Sequence, residues 1–164
     1  MSDAFEQSSV QRIFEEYGEM LYKICIVMLK NAHDAEDAVQ DVLIKYMVKK
    51  PVFDTDSYEK AWLIRVAMNL CKDRLRFKRK HPQIDIESLH TTYAEESEER
   101  KVLEMLMNMP PRYKEILLLY YFEEYKSHEI SRMLRITESA VRKRLERGRN
   151  ILKKSLEEND YAGR

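Results

Sequence analysis

Three glycines in 164 residues leave this chain few means of building the tight turns that join β-strands. The four prolines fall at only three places, Pro51, Pro82 and the Pro110–Pro111 pair. Between these breaks Leu, Glu, Lys, Arg, Met and Ala dominate, and these are strong helix formers. No stretch alternates apolar and polar residues for long enough to suggest a sheet. The expected fold is therefore all-α, with an apolar fraction of 44% that is enough for a core.

Apolar spacing places the helices. Ile13, Tyr17, Met20, Leu21, Ile24, Val27 and Met28 repeat at helical intervals over a first helix from about Phe5 to Lys30. "NAHDAED" interrupts it and starts a second helix, with Asn31 or Asp34 as the cap and acids in the first turn, where the helix dipole favours them. That helix runs to about Lys49. The loop "KKPVFDTDS" follows, with Asp56 or Ser57 as the next cap. Trp62, Val66, Leu70 and Leu75 mark a third helix. From His81 to about Ser97 the periodicity fades, and a domain boundary is expected there. A short helix ends at "MPPR", and the next carries Ile116, Leu117 and Leu119 to Phe122.

Charge divides the chain although its formal net charge is zero. Residues 65–80 are basic, with Arg65, Lys72, Arg74, Arg76, Lys78, Arg79 and Lys80 against Asp73. Residues 85–104 are acidic. Residues 132–154 carry nine Arg and Lys against Glu138 and Glu146. Two basic segments flanking an acidic one suggest two sites for a polyanion and a tether that stays off it.

The last basic segment has internal order. "SHEISRML" reads as a short helix with Ser127 as its cap. "RIT" is a tight connection, and "ESAVRKRLERGRNILKK" is a second helix capped by Thr137. Two helices so joined, the second basic, fit a helix-turn-helix, with Arg135 where a Gly is frequent. Val141, Leu145, Gly148 and Leu152 form one stripe for packing, while Arg142, Lys143, Glu146, Arg147, Lys153 and Lys154 lie opposite. Arg on such a face can read guanine in a major groove, and Lys can pair with phosphate. An ordinary solvated amphipathic helix would share the stripe but not the capped helix before it.

"DAEDAVQDVLIKYM" and "YEKAWLIRVAMNLCKDRLR" resemble region 2 of bacterial sigma factors, and "MPPRYKEILLLYYFEEYKSHEISRMLRITESAVRKRLERGRNILK" resembles their region 4. The short length and acidic linker match the extracytoplasmic-function (ECF) type. The resemblance implies residues 1–80 as a region 2 domain, 81–100 as an acidic linker and 101–164 as a region 4 domain. It also implies RNA polymerase core as a partner, through the clamp of the largest subunit and the flap region. Promoter DNA and an anti-sigma factor are the further partners it implies.

Residue roles follow from the same resemblance. Asp37, Gln40 and Asp41 match the polymerase-docking helix, and their spacing puts them on one face, expected to be exposed. Dipole complementarity alone would explain Asp34, Glu36 and Asp37. A metal site from His33, Asp34, Glu36 and Asp37 lacks a distant ligand set and is set aside. For the downstream promoter element the matching positions are Phe53, Tyr58, Trp62, Asn69, Arg74, Arg76, Lys78 and Arg79. Phe53 and Tyr58 suit an unstacked base, since an aromatic face offers about 1–3 kcal/mol per stacked base. Trp62 shares a stripe with Val66 and Leu70 and suits the core, and Asn69 could equally bond within the fold. For the upstream element they are Ser139, Arg142, Lys143, Glu146, Arg147 and Lys153. The linker either follows the RNA path of polymerase or simply solubilises.

No catalysis, cofactor or metal is expected, because no nucleophile stands at suggestive spacing from a base and no Gly-rich phosphate loop occurs. Cys25 and Cys71 lie in apolar helical patterns and read as reduced core thiols. No run approaches the roughly 20 apolar residues of a membrane span, and the start lacks a secretory signal, so a cytoplasmic protein is expected. A free-standing helix-turn-helix regulator and a partner-binding adaptor are the alternatives, and co-purification with core polymerase discriminates them.

Overall fold

Seven α-helices make up the described residues of the computed structural model, which are 2–78 and 97–162, with side chains described for 7–77 and 97–158. No strand occurs among them. The chain divides into two compact units, residues 1–92 and 93–164.

In the first unit α1 (Ser2–Leu29), α2 (Ala32–Lys49) and α3 (Asp56–Lys78) pack on one another. Ile24 to Leu29 are buried without a gap, so the end of α1 lies between both partners rather than showing them a single stripe. The break after α1 is made by Lys30, at φ 59°, and by Asn31, whose side chain accepts from the Asp34 N–H at 2.9 Å. Asn31, not Asp34, is the cap. Lys50 ends α2 in the left-handed region. The cap of α3 is neither Asp56 nor Ser57: Thr55 Oγ1 accepts from the Tyr58 N–H at 3.3 Å, and both expected residues lie inside the helix. The buried side of α3 is centred on Leu63, Ile64, Ala67 and Cys71, with Val66 at its margin and Trp62 and Leu70 only half-buried. Packing against both α1 and α2 rotates and widens the buried arc beyond the expected Trp62–Val66–Leu70 stripe.

In the second unit α4 (Glu98–Met107) starts at Ser97, whose Oγ accepts from the Arg100 N–H at 3.1 Å. Pro110 and Pro111 separate it from α5 (Pro111–Leu117), where proline suits the first turn because its missing N–H has no intrahelical role. A π-helical turn, Leu118–Phe122, extends α5. α6 (Ser127–Leu134) and α7 (Glu138–Ala162) complete the unit, and α7 packs on α4, α5 and α6.

Candidate nucleic-acid interface

The connection between α6 and α7 is built from local hydrogen bonds. At the start of α6 the Lys126 N–H donates to Glu129 Oε1 at 3.1 Å. Lys126 is thus the capping position, and Ser127, expected there, is the first helical residue. α6 ends at Arg135, which takes the left-handed conformation (φ 57°, ψ 44°) without being glycine. Ser131 holds the turn from both sides: its Oγ donates to the Ile136 carbonyl at 2.7 Å, and its carbonyl accepts from the Ile136 N–H at 3.1 Å. Thr137 Oγ1 then accepts from the Ala140 N–H at 3.0 Å and caps α7.

Packing decides which side of α7 faces out. Val141, Leu145 and Gly148 are buried, and Leu152 is half-buried. A Cβ at Gly148 would lie 3.1 Å from Leu117 Cδ1, so this glycine lets α7 approach α5 closely. Arg144 reaches back to the nearly buried Glu115 at 3.8 Å and ties α7 to α5. Ser139, Arg142, Lys143, Glu146, Arg147 and Lys153 are all exposed, and Arg142 lies 3.6 Å from Glu138. One further base of the segment has another job. Arg149 donates to the Tyr121 hydroxyl and lies 5.5 Å from the Tyr120 ring centroid and 5.6 Å from that of Tyr121. The hydrogen bond to Tyr121 raises its pKa. Both tyrosines belong to the π-helical turn, which no Gly or Pro announces in the sequence.

The first unit combines two chemistries. On α2, Gln40 is exposed and Asp37 and Asp41 are half-exposed. Ile44, Met47 and Val48 continue the same face at i+7, i+10 and i+11 from Asp37, and Val48 is 76% exposed. This apolar extension was missed in the sequence, although its helical spacing was available there. The expectation of a freely exposed Asp41 needs correction: Arg74 of α3 donates to its carboxylate and also to the Asp34 carbonyl at 3.0 Å. Arg74 therefore joins α3 to α2 instead of standing with the solvent-facing bases. Arg76 is exposed and paired with Asp73 at 2.9 Å. The Lys78 side chain, Arg79 and residues 81–96 of the acidic linker lie outside the described residues.

At the other end of α3, Tyr58 is 63% exposed. Phe53 is half-buried against Trp62, with ring centroids 6.0 Å apart, and Trp62 meets Tyr46 edge-on at 6.0 Å. Asn69 is exposed. The structure thus places Phe53, Tyr58 and Trp62 around the α2–α3 loop, with Asn69, Arg74 and Arg76 further along α3. Cys25 and Cys71 are buried free thiols, and their mutual hydrogen bond and burial push the Cys25 pKa up. Among the described residues no three His, Cys, Asp or Glu side chains gather as metal ligands would, and no helix is long and apolar enough to cross a membrane.

Comparison with known proteins covers both units. The Sigma-70 region 2 profile matches residues 13–81, and the Sigma-70, region 4 profile matches residues 99–152. The chain is 28% identical over 169 residues to the ECF RNA polymerase sigma factor SigW of Bacillus subtilis, covering 92% of this chain and 90% of that one. It is 29% identical over 153 residues to SigM of Bacillus subtilis, covering 88% and 93%. The fold is similar to that of the sigma factor RpoE solved with the anti-sigma factor NepR from Bartonella quintana (TM-score 0.74, 21% identity, covering 90% of this chain and 96% of that one). It is also similar to CnrH solved with the cytosolic domain of CnrY (TM-score 0.68, 22% identity, covering 92% and 89%). With both regions present in order along one short chain, the protein belongs to the sigma-70 family and is a sigma factor of the ECF type.

Proposed function

We propose a division of labour within this sigma factor, which associates with RNA polymerase and directs promoter recognition. The α2 face docks on the polymerase clamp, the α2–α3 loop with α3 engages and opens the downstream promoter element, and α7 reads the upstream element. The match of both sigma regions, one to each unit, carries this reading. The chemistry of each surface supports it. On α2, carboxylates repel phosphate, so the face of Asp37, Gln40 and Asp41 with Ile44, Met47 and Val48 suits a protein with basic and apolar side chains. On α7, Arg142, Lys143 and Arg147 stand outward and suit base edges and phosphates. Beside the loop, Tyr58 offers an exposed ring to an unstacked base.

Polymerase supplies the chemistry, and this chain contributes recognition and melting without catalysis of its own. A polymerase partner supports a cytoplasmic location. The similar fold solved with the anti-sigma factor NepR supports an anti-sigma partner here as well. A free-standing regulator leaves the region 2 match over residues 13–81 without a purpose.

The deciding experiment is a pull-down of core polymerase. Asp37→Lys combined with Val48→Asp inverts both characters of the face and spares Asp41, which Arg74 needs. The variant should keep its helical circular dichroism, lose core polymerase and fail to support transcription from a promoter that the wild type uses. Wild-type affinity of the folded variant for core would move the docking face elsewhere.

A further inference from the structure

Glu59 is a carboxylate in the first turn of α3, where the helix dipole alone would stabilise it at the surface. Instead its side chain is only 8% exposed. Arg12 of α1 donates to both of its oxygens, each at 3.0 Å, and the Tyr46 hydroxyl of α2 donates to Oε2 at 3.1 Å. Burying a carboxylate is costly, and such a network adds less stability than it adds definition of position. Apolar side chains already fill the interior of the three helices, among them Ile13, Leu21, Val39, Leu63 and Ala67. What the network adds is a tie among three helices at the root of the α2–α3 loop. It also continues toward the loop, because the Tyr46 ring meets Trp62 and Trp62 meets Phe53. Tyr58 is the chain neighbour of Glu59. The bond to Glu59 raises the Arg12 pKa, so the guanidinium end of the tie stays charged.

We propose that Arg12, Glu59 and Tyr46 are positioning residues for promoter opening, a part-buried brace that holds Phe53 and Tyr58 where an unstacked base is received. The inference rests on the role proposed above for the loop aromatics. The brace touches no DNA and acts through the loop, so its loss should spare core binding and duplex binding and weaken opening. A rigid receptor loses less entropy when the base arrives than a loop that must be ordered first.

The test uses holoenzyme reconstituted with core polymerase on a promoter that the wild type uses. Open complex is read by permanganate reactivity of melted thymines, alongside core affinity and closed-complex affinity. Arg12→Gln should lower open complex about tenfold, and Tyr46→Phe, which keeps the ring but removes the donor, about threefold. Arg12→Lys should recover part of the loss, since it restores the charge but not the two-pronged geometry. Core and closed-complex affinities should stay within about twofold. Combined with Phe53→Ala and Tyr58→Ala, Arg12→Gln should add little, because side chains acting through one another are not additive.

Wild-type opening in both Arg12→Gln and Tyr46→Phe overturns the brace. So does full additivity with the loop variants, or a fall in core affinity that matches the loss of opening. If Arg12→Gln does not fold, Tyr46→Phe decides alone. Should Phe53→Ala and Tyr58→Ala both leave opening intact, the loop reading itself fails and the brace fails with it. If those loop variants reduce opening and the brace variants do not, only the brace is lost.

Discussion

In α7, Arg142 and Arg147 stand in solvent, whereas in α3 Arg74 is drawn into the acidic face of α2, where it binds the Asp41 carboxylate and the Asp34 carbonyl. Both segments are basic in sequence, yet they use their charge differently. The second unit anchors α7 with other residues: Val141, Leu145, Gly148, Arg144 against Glu115, and Arg149 on the Tyr121 hydroxyl at the surface. Its outward bases face solvent. The first unit is a three-helix packing in which charged side chains also hold helices together, as Arg12 and Arg74 do. On the proposed roles, a substitution on the outer side of α7 removes a contact to DNA alone, while one at Arg74 of α3 also removes a strut between helices.

This contrast can be broken by experiment. The largest effect is expected for Arg142→Ala with Arg147→Ala, where each residue that makes a bidentate base contact should cost about 1–3 kcal/mol of upstream-element affinity. Competition binding on promoter variants should also show relaxed base preference, with thermal stability unchanged. Lys153→Ala should instead weaken binding evenly across sequences. A large drop in melting temperature for the double variant would erase the distinction between the two units.

Arg74→Ala should behave in the opposite way. Loss of its two hydrogen-bonded partners should destabilise the protein by about 1–3 kcal/mol in urea unfolding. Core and promoter binding should fall alongside. Full stability would return Arg74 to the solvent-facing bases.

Gly148→Val tests the anchoring of α7. The β-branched side chain must displace Leu117, and overpacking of this kind costs about 1–3 kcal/mol. Upstream binding should fall more than it does in Leu152→Ala, whose site is only half-buried. Equal losses would mean that close approach to α5 does not set the pose of the helix.

The smallest effect is a gain. Arg135 holds a left-handed conformation that costs an L-residue roughly 1–2 kcal/mol, and glycine adopts it without that strain but loses more chain entropy on folding. Arg135→Gly should thus raise stability by about 0.5–1 kcal/mol, a rise of a few degrees in melting temperature. A loss of stability would mean that the Arg135 side chain contributes to the turn.

Helix order, the all-α class, the helix-turn-helix and the basic outer face of α7 were legible in residues alone. Each depends on spacing along one helix or on a proline or cap a few positions away. Thr137 capping α7 and the packing of Val141, Leu145 and Gly148 are of this kind. The capping of α6 at Lys126 escaped, because a lysine side chain gives no cap signal and the bond there is donated by the Lys126 N–H to the Glu129 carboxylate. Left-handed Arg135 and the π-helical turn of Leu118–Phe122 escaped as well, since neither carries the glycine or proline that usually marks such geometry.

What no spacing rule could supply is pairing across the chain. Arg12 meets Glu59 across 47 positions and Arg74 meets Asp41 across 33. Periodicity reports which side of a helix is apolar, but it does not say which helix covers that side or how far along it lies. Those are set by the packing of α1, α2 and α3 as a group. Only that packing decided that two pairs of charged residues, Arg12 with Glu59 and Arg74 with Asp41, tie helices together, while Arg142 and Arg147 face outward.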